Sequence, residues 1–370
     1  MVAVTSTSPY AAYQNYAASN ASATKTTTAT TQSAAEPQSA ATSLTLSDEA
    51  RAALAEKDFT AILADARTKL SALLQQANRT TPLKDGKLAL DLSSLDQREL
   101  YAISSDPNFT EDEGDAAGLE MQRRFEAALS GPAAIARVTG DYTDLYKAAA
   151  VYLDALGPEE RASADWKAGR DAVTEALKQL QTRPGTLPAL GANDPVALYL
   201  ALSEQGGLVE PSMPDLASNA RTTLDRLYAE AQANGKAPSF NRQTKTGQYI
   251  DMSSFSSRAL SSIVLDKDSQ FSSEETRAAR SILQSRSGAT LLSGFQSASK
   301  SGDPTAFSQN IISAFSSMSA EERQAIGWSD QLYQNAMQSY VTTSKLMSMF
   351  NDATGSSGTP SLASLLGGGQ

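Results

Sequence analysis

Apolar residues recur at three- and four-residue spacing through most of the interval from Ser47 to Phe350, the mark of helices that bury one face. The first such stretch, Ser47 to about Asn78, carries Leu54, Phe59, Ile62, Leu63, Leu70, Leu73 and Leu74 on one stripe. Ser47 suits the cap position, and Asp48 and Glu49 fall where the helix dipole favours negative charge. The period then changes. After the turn signal Lys84-Asp85-Gly86-Lys87, Leu88, Leu90 and Leu92 alternate with other residues, which predicts a short extended piece and a small hairpin. Lys245-Thr246-Gly247-Gln248 before Tyr249-Ile250-Asp251-Met252 predicts the same later in the chain. Both pieces lead into helices through serine pairs, Ser93-Ser94 and Ser253-Ser254. Other helix starts are written more sharply. Thr110-x-x-Glu113 and Ser272-x-x-Glu275 are capping boxes, each preceded by phenylalanine at the staple position. Ser319-Ala320-Glu321-Glu322 is a third, and Gly157-Pro158 puts proline at a first helical position.

These signals occur twice in the same order. Residues 109–166 align without a gap to residues 271–328 at an offset of 162, with 16 of 58 positions identical. The identities fall in blocks. Glu159-Glu160-Arg161 and Trp166 answer Glu321-Glu322-Arg323 and Trp328. Asp91, Ser93-Ser94 and Arg98 answer Asp251, Ser253-Ser254 and Arg258, and Ala66-Arg67-Thr68 answers Ala220-Arg221-Thr222. The unit is domain-sized and too long for a solenoid repeat. The predicted fold is therefore mainly α: two tandemly duplicated helical domains, each with a short extended segment or hairpin, flanked by disordered tails. Residues 1–44 form a leader, 45–181 the first copy, 182–214 a Pro/Gly-containing linker, 215–350 the second copy and 351–370 a tail. In the linker, Asp194-Pro195 is a cap and first-turn pair ahead of Val196, Leu198, Tyr199, Leu200 and Leu202, which suit a short buried helix. The tail is rich in Gly and Ser, interrupted by Leu362, Leu365 and Leu366.

Composition narrows the chemistry. The 370 residues include no cysteine and no histidine. Disulfides, thiolate sites and every triad that needs histidine are excluded, leaving carboxylates, Lys, Tyr, Ser and Thr. A net charge of −10 argues against nucleic acid, whose phosphates need clustered Lys and Arg. No apolar run approaches the length of a membrane span, and no basic region with an apolar core marks a cleaved secretory signal.

Four groups of residues carry candidate chemistry. Asp266, Asp268 and Glu275 lie in a stretch that resembles a shortened EF-hand loop, with ten residues and no central glycine where a calcium loop needs twelve and that glycine. The capping box accounts for Glu275 without metal, so no metal or other cofactor is expected. Glu111, Asp112, Glu113 and Asp115, and the pairs Glu159-Glu160 and Glu321-Glu322, are carboxylate clusters in first turns of predicted helices, where the dipole favours them. Ser297-x-x-Lys300 and Lys245-Thr246-Gly247 resemble motifs of penicillin-recognising serine enzymes, but their order is reversed and no Ser-Asp-Asn is present. Trp166 and Trp328, the only tryptophans, are expected to anchor the two cores from inside a helix. Leu145, Leu153 and Leu156 should pack near the first, and Phe307, Phe315 and Met318 near the second. Arg161 and Arg323 should lie near the rings or bridge to the preceding glutamates.

Residues 1–44 contain only Lys25 and Glu36 as charges, with Tyr10, Tyr13 and Tyr16 spaced by three. Such a segment buries too little to order itself and is expected to be disordered, its tyrosines a candidate contact for a partner. In composition this leader resembles the non-cleaved export signals of flagellar and type III secretion substrates. That implies a bacterial protein, cytoplasmic or exported without a cleaved signal. A filament subunit is disfavoured, because flagellar axial proteins carry apolar heptads at both ends. The expected function is that of a non-enzymatic interaction, structural or accessory protein with unidentified protein partners. The alternatives are a calcium-responsive sensor and a carboxylate-based hydrolase.

Overall fold

A computed structural model describes residues 58–354, apart from 184, 207, 208, 210 and 211. The fold is mainly helical. Its first half runs α1 (Phe59–Gln76), β1 (Leu83–Lys84), β2 (Lys87–Leu88), α2 (Gln97–Ser105), α3 (Glu111–Thr139), α4 (Thr143–Asp154), α5 (Pro158–Arg161), α6 (Ala164–Thr182) and α7 (Pro195–Gln205). The second runs α8 (Met213–Ala233), β3 (Ala237–Ser239), β4 (Gly247–Tyr249), α9 (Ser257–Leu265), α10 (Ser273–Ser301), α11 (Ala306–Ser316), α12 (Ala320–Ile326) and α13 (Asp330–Thr354). The helix order of the second half follows that of the first up to α13, and α7 has no counterpart among the described residues. Ser47, Asp48, Glu49, Tyr10, Tyr13, Tyr16 and the Leu362-Leu365-Leu366 patch lie outside the described residues.

Local sequence explains where the helices begin. Thr110 with Glu113, Ser272 with Glu275 and Ser319 with Glu322 each form both bonds of a capping box. The serine pairs do not cap. Ser93 and Ser253 donate their backbone N–H to Asp91 and Asp251, which closes a turn ahead of each helix. The caps are Asp96, with Glu99 in a fourth box, and Ser256. The 29-residue helices α3 and α10 both end at a left-handed glycine, Gly140 and Gly302.

The extended pieces differ between the halves. β1 and β2 are antiparallel around Asp85-Gly86, both with positive φ, as a two-residue hairpin turn requires. β3 and β4 pair in parallel instead. At the matching place Thr246 replaces Asp85, and a β-branched residue resists positive φ. The chain therefore makes no tight turn there, and Gly247 opens the strand itself.

Long helix α3 belongs to two cores. Its first half, with Ala116, Ala117 and Met121, packs against α1, α2 and the extended segment. Its second half, with Phe125, Leu129, Ala133 and Ala136, packs against α4, α6 and α7. Residues 195–205 are thus part of the first half's core, through Val196, Tyr199 and Leu200. Helix α10 uses only its first half in this way: Ala279 and Leu283 pack with α8, α9 and Ala325 of α12. A smaller cluster joins the halves, with Ile135 of α3, Ile312 of α11 and Ala336, Met337 and Tyr340 of α13. The α3–α11 crossing is close because residue 131 is glycine. A Cβ there would lie 2.5 Å from Ser313 Cα.

Candidate functional site

The shortened acidic loop is organised by the protein's own donors. Asp266 ends α9 in the left-handed region, φ 38°, and its Oδ1 accepts from the backbone of Gln270 and Phe271. Glu275 is buried. Its Oε1 accepts from Tyr228 Oη at 2.6 Å and Arg221 Nη1 at 2.8 Å, and its Oε2 from Ser272 N. Burial raises the carboxyl's pKa, but these bonds outweigh it and hold Glu275 below its ordinary value. Asp268 is exposed in the same loop. The oxygens a calcium ion would need on Glu275 are already engaged.

The same arrangement recurs in the first half. Arg67 lies 3.8 Å from the Phe109 ring centroid, donates to Asn108 O and pairs with Glu113. Arg221 stands over Phe271, donates to Gln270 O and pairs with Glu275. Arg124 and Arg286 likewise hold the loop before α2 and α9 by its carbonyls. Arg67 and Arg221, and Arg124 and Arg286, therefore make equivalent contacts in the two halves. Nearby, Asp112 accepts from the Thr81 hydroxyl. Asp115 is raised by burial and by the Glu111 and Asp112 charges.

Both tryptophans are half-buried. Trp166 sits in the first turn of α6 and its Nε1 donates to Leu153 O at 2.9 Å, fastening α6 to the end of α4. Leu145, Leu153 and Leu156 do belong to its cluster. Trp328 lies outside a helix, after the Gly327 cap of α12. It stacks on Phe315, which stacks on Tyr333. Arg323 covers Phe315 rather than the indole and donates to Phe315 O in the last turn of α11 and to Met318 O beyond it. Arg161 is exposed.

A cleft of about 220 Å³ opens between the halves, lined by Asp91, Glu120 and Arg123 from one side and Ser257, Arg258 and Glu322 from the other. A second, of about 250 Å³, shares Arg258. Glu120 is buried under Arg123 and Arg124. Burial opposes its ionisation, but the two guanidiniums hold its pKa below the ordinary value. Burial and then the Arg123 charge lower the pKa of Arg258, whose Nη1 has no hydrogen-bond partner. Such a donor suits a carbonyl oxygen. With Asp91, Glu120 and Glu322 facing Arg123 and Arg258, the cleft is no trap for anions.

Arg98, the counterpart of Arg258, pairs differently. It grips Glu159 with Nε and Nη2, whereas Arg258 faces Glu322 at 3.5 Å. This leaves Glu160, the counterpart of Glu322, without a cation. It is 1% exposed, accepts only a 3.4 Å bond from Gln97 and has an unpartnered Oε1. Burial pushes its pKa up to about 8. Closed in the core, this acid lines neither cleft.

The surface shows an aromatic pair, Phe295 and Phe307, of which Phe307 was expected in the second core. Phe307 does not pack beside Trp328. It is 41% exposed, and Phe295 is 56% exposed. Their rings meet edge to face at 5.7 Å, with Leu292 also exposed on α10. At the offset of 162 their counterparts are Leu145 and Ala133, both 0% exposed in the cluster that α7 joins. The signal was present in the sequence as aromatic residues aligned with core positions, but exposure depends on what covers them. No protein family, curated protein or solved structure matches this chain.

Proposed function

We propose that the protein is a non-enzymatic interaction protein whose folded part is one helical module present twice, and that its docking surface is the Leu292, Phe295 and Phe307 patch. The observation that carries this reading is the exposed aromatic pair. Large rings left in water cost free energy that burial against a partner recovers, and aromatic residues are enriched in the anchors of interfaces. The equivalent contacts of Arg67 and Arg221 support the duplicated module. The leader, with only Lys25 and Glu36 as charges and with Tyr10, Tyr13 and Tyr16, supports export of a bacterial protein without a cleaved signal. Among the described residues no helix is long and apolar enough to cross a membrane.

A photocrosslinking residue in place of Phe295 tests the patch, in the full chain and in a chain lacking residues 355–370. Discrete adducts with another protein are expected in cells for at least one of the two. The same probe at Lys178, whose side chain is 77% exposed, should give none. No adduct from position 295 in either chain would remove this reading.

A further inference from the structure

We infer that, when no other partner is bound, the patch on α10 and α11 is covered by the same patch of a second copy of this chain, across a two-fold axis. This rests on the patch being the docking surface proposed above, and it names an occupant. The patch extends beyond the aromatic pair. Phe315 stacks on Tyr333, and Ile312 clusters with Met337 and Tyr340, so α13 runs antiparallel to α11. Beyond Tyr340 it comes level with the start of α11, where Phe307 stands. There Leu346 and Met349 are exposed.

Charge points to a symmetric partner. No charged residue occurs from Ser287 to Ser299 on α10, anywhere in α11, or from Gln331 to Ser344 on α13. In the first half, the stretches aligned with the first two carry Glu126, Arg137, Asp144, Lys147 and Asp154. The second half thus lacks charge where its counterpart has it. In a two-fold contact, a charge near the axis meets its own image and is repelled. Against a different protein the balance reverses, because complementary charges speed encounter and fix register. Two copies of a chain with net charge −10 repel each other in general, and least of all through a face without charges. Lys345 borders Leu346, and its flexible stem carries the ammonium out to water. Area sets the strength. Half-exposed side chains of this size each have on the order of 100 Å² left to bury. Five of them on each of two copies give roughly 1,000 Å², the lower limit of a specific interface. Such a dimer is weak, and a better-fitting partner displaces it.

Sedimentation velocity of the purified full chain, from micromolar to near-millimolar concentration, tests this. The mass is expected to rise from that of one chain towards that of two. Phe295→Asp should weaken the association at least about tenfold, since each dimer carries the change twice. The side chain is exposed, so circular dichroism should show the fold unchanged. Leu292→Asp repeats the test from a second exposed position. A photocrosslinking residue at position 295 of the purified chain should give covalent dimers over the same concentration range. A chain that stays monomeric throughout overturns the inference. A dimer that survives both substitutions also overturns it, because it forms through another surface. A monomeric chain whose position 295 still crosslinks to another protein in cells keeps the docking surface and loses only this occupant. A monomeric chain with no adduct at all from that position removes both.

Discussion

Glu160 and Glu322 occupy matching positions and have opposite fates, because Arg98 and Arg258 choose different members of the glutamate pair. Glu322 keeps its charge-bearing neighbour and its place in a capping box. Glu160 keeps neither, and its pKa rises from 4.5 to about 8 through burial. An acid raised in the folded state holds a proton that the unfolded chain has released. Between those two values, stability falls as pH rises, by at most about 1.4 kcal/mol per unit. Below the window both states are protonated and the stability is fully present; above it both are ionised and it is lost. The chain has no histidine or cysteine to obscure this range. Asp194 is also raised by burial, so some slope should remain at the acid end. Glu160→Gln keeps the shape without the charge. Its melting temperature should exceed that of the natural chain at pH 8 and vary less from pH 5 to 8. Parallel curves for the two proteins would show that Glu160 does not titrate in this way.

Helix starts were legible because a cap is a local event: a hydroxyl, a glutamate three residues on and their own backbone. Three boxes appeared where Thr110, Ser272 and Ser319 predict them. The Ser93 and Ser253 pairs misled because an Asx turn and a cap use the same residue types, and the choice falls to Asp96 and Ser256 downstream. The calcium-like loop belongs to this scale as well. Since Glu275 already accepts from Tyr228, Arg221 and Ser272, melts in excess calcium and in chelator should coincide. A rise in melting temperature with calcium that Asp266→Ala abolishes would reinstate the sensor reading. What no local signal conveys is the crossing of α3 and α11, which joins residues far apart in sequence. Gly131 permits it, with Ser313 Cα 2.5 Å from where a Cβ would stand. The obstruction is backbone, so rotamer changes cannot relieve it. Gly131→Val should force the helices apart and cost about 1–3 kcal/mol, as overpacking of a close contact does. Denaturant melts measure this directly. A cost below a few tenths would mean that α11 moves aside freely.

At the scale of the molecule, the repeated order of helices was readable from 16 identities in 58 positions, since residues held in common include those that hold loops and caps, such as Arg124 and Arg286. The asymmetry between the halves was not readable. It arises from packing across them and from the helix α7 that only the first half shows among the described residues. The proposed function divides in a corresponding way. The leader offers Tyr10, Tyr13 and Tyr16 and two charges in 44 residues. A segment of that composition is expected to add little to a core and so little to stability, whatever it adds to recognition. Deleting residues 1–44 should therefore shift the melting temperature of the folded part by less than about 2 °C, equivalent to a few tenths of a kcal/mol. In cells the same deletion should abolish export or partner capture, measured by the fraction of protein outside the cytoplasm and by adducts from position 295. A truncated chain that is exported and crosslinked like the full chain would leave the leader without the proposed role. A large fall in melting temperature would instead show that the leader packs on the folded part, and its tyrosines would then have to be counted with the core.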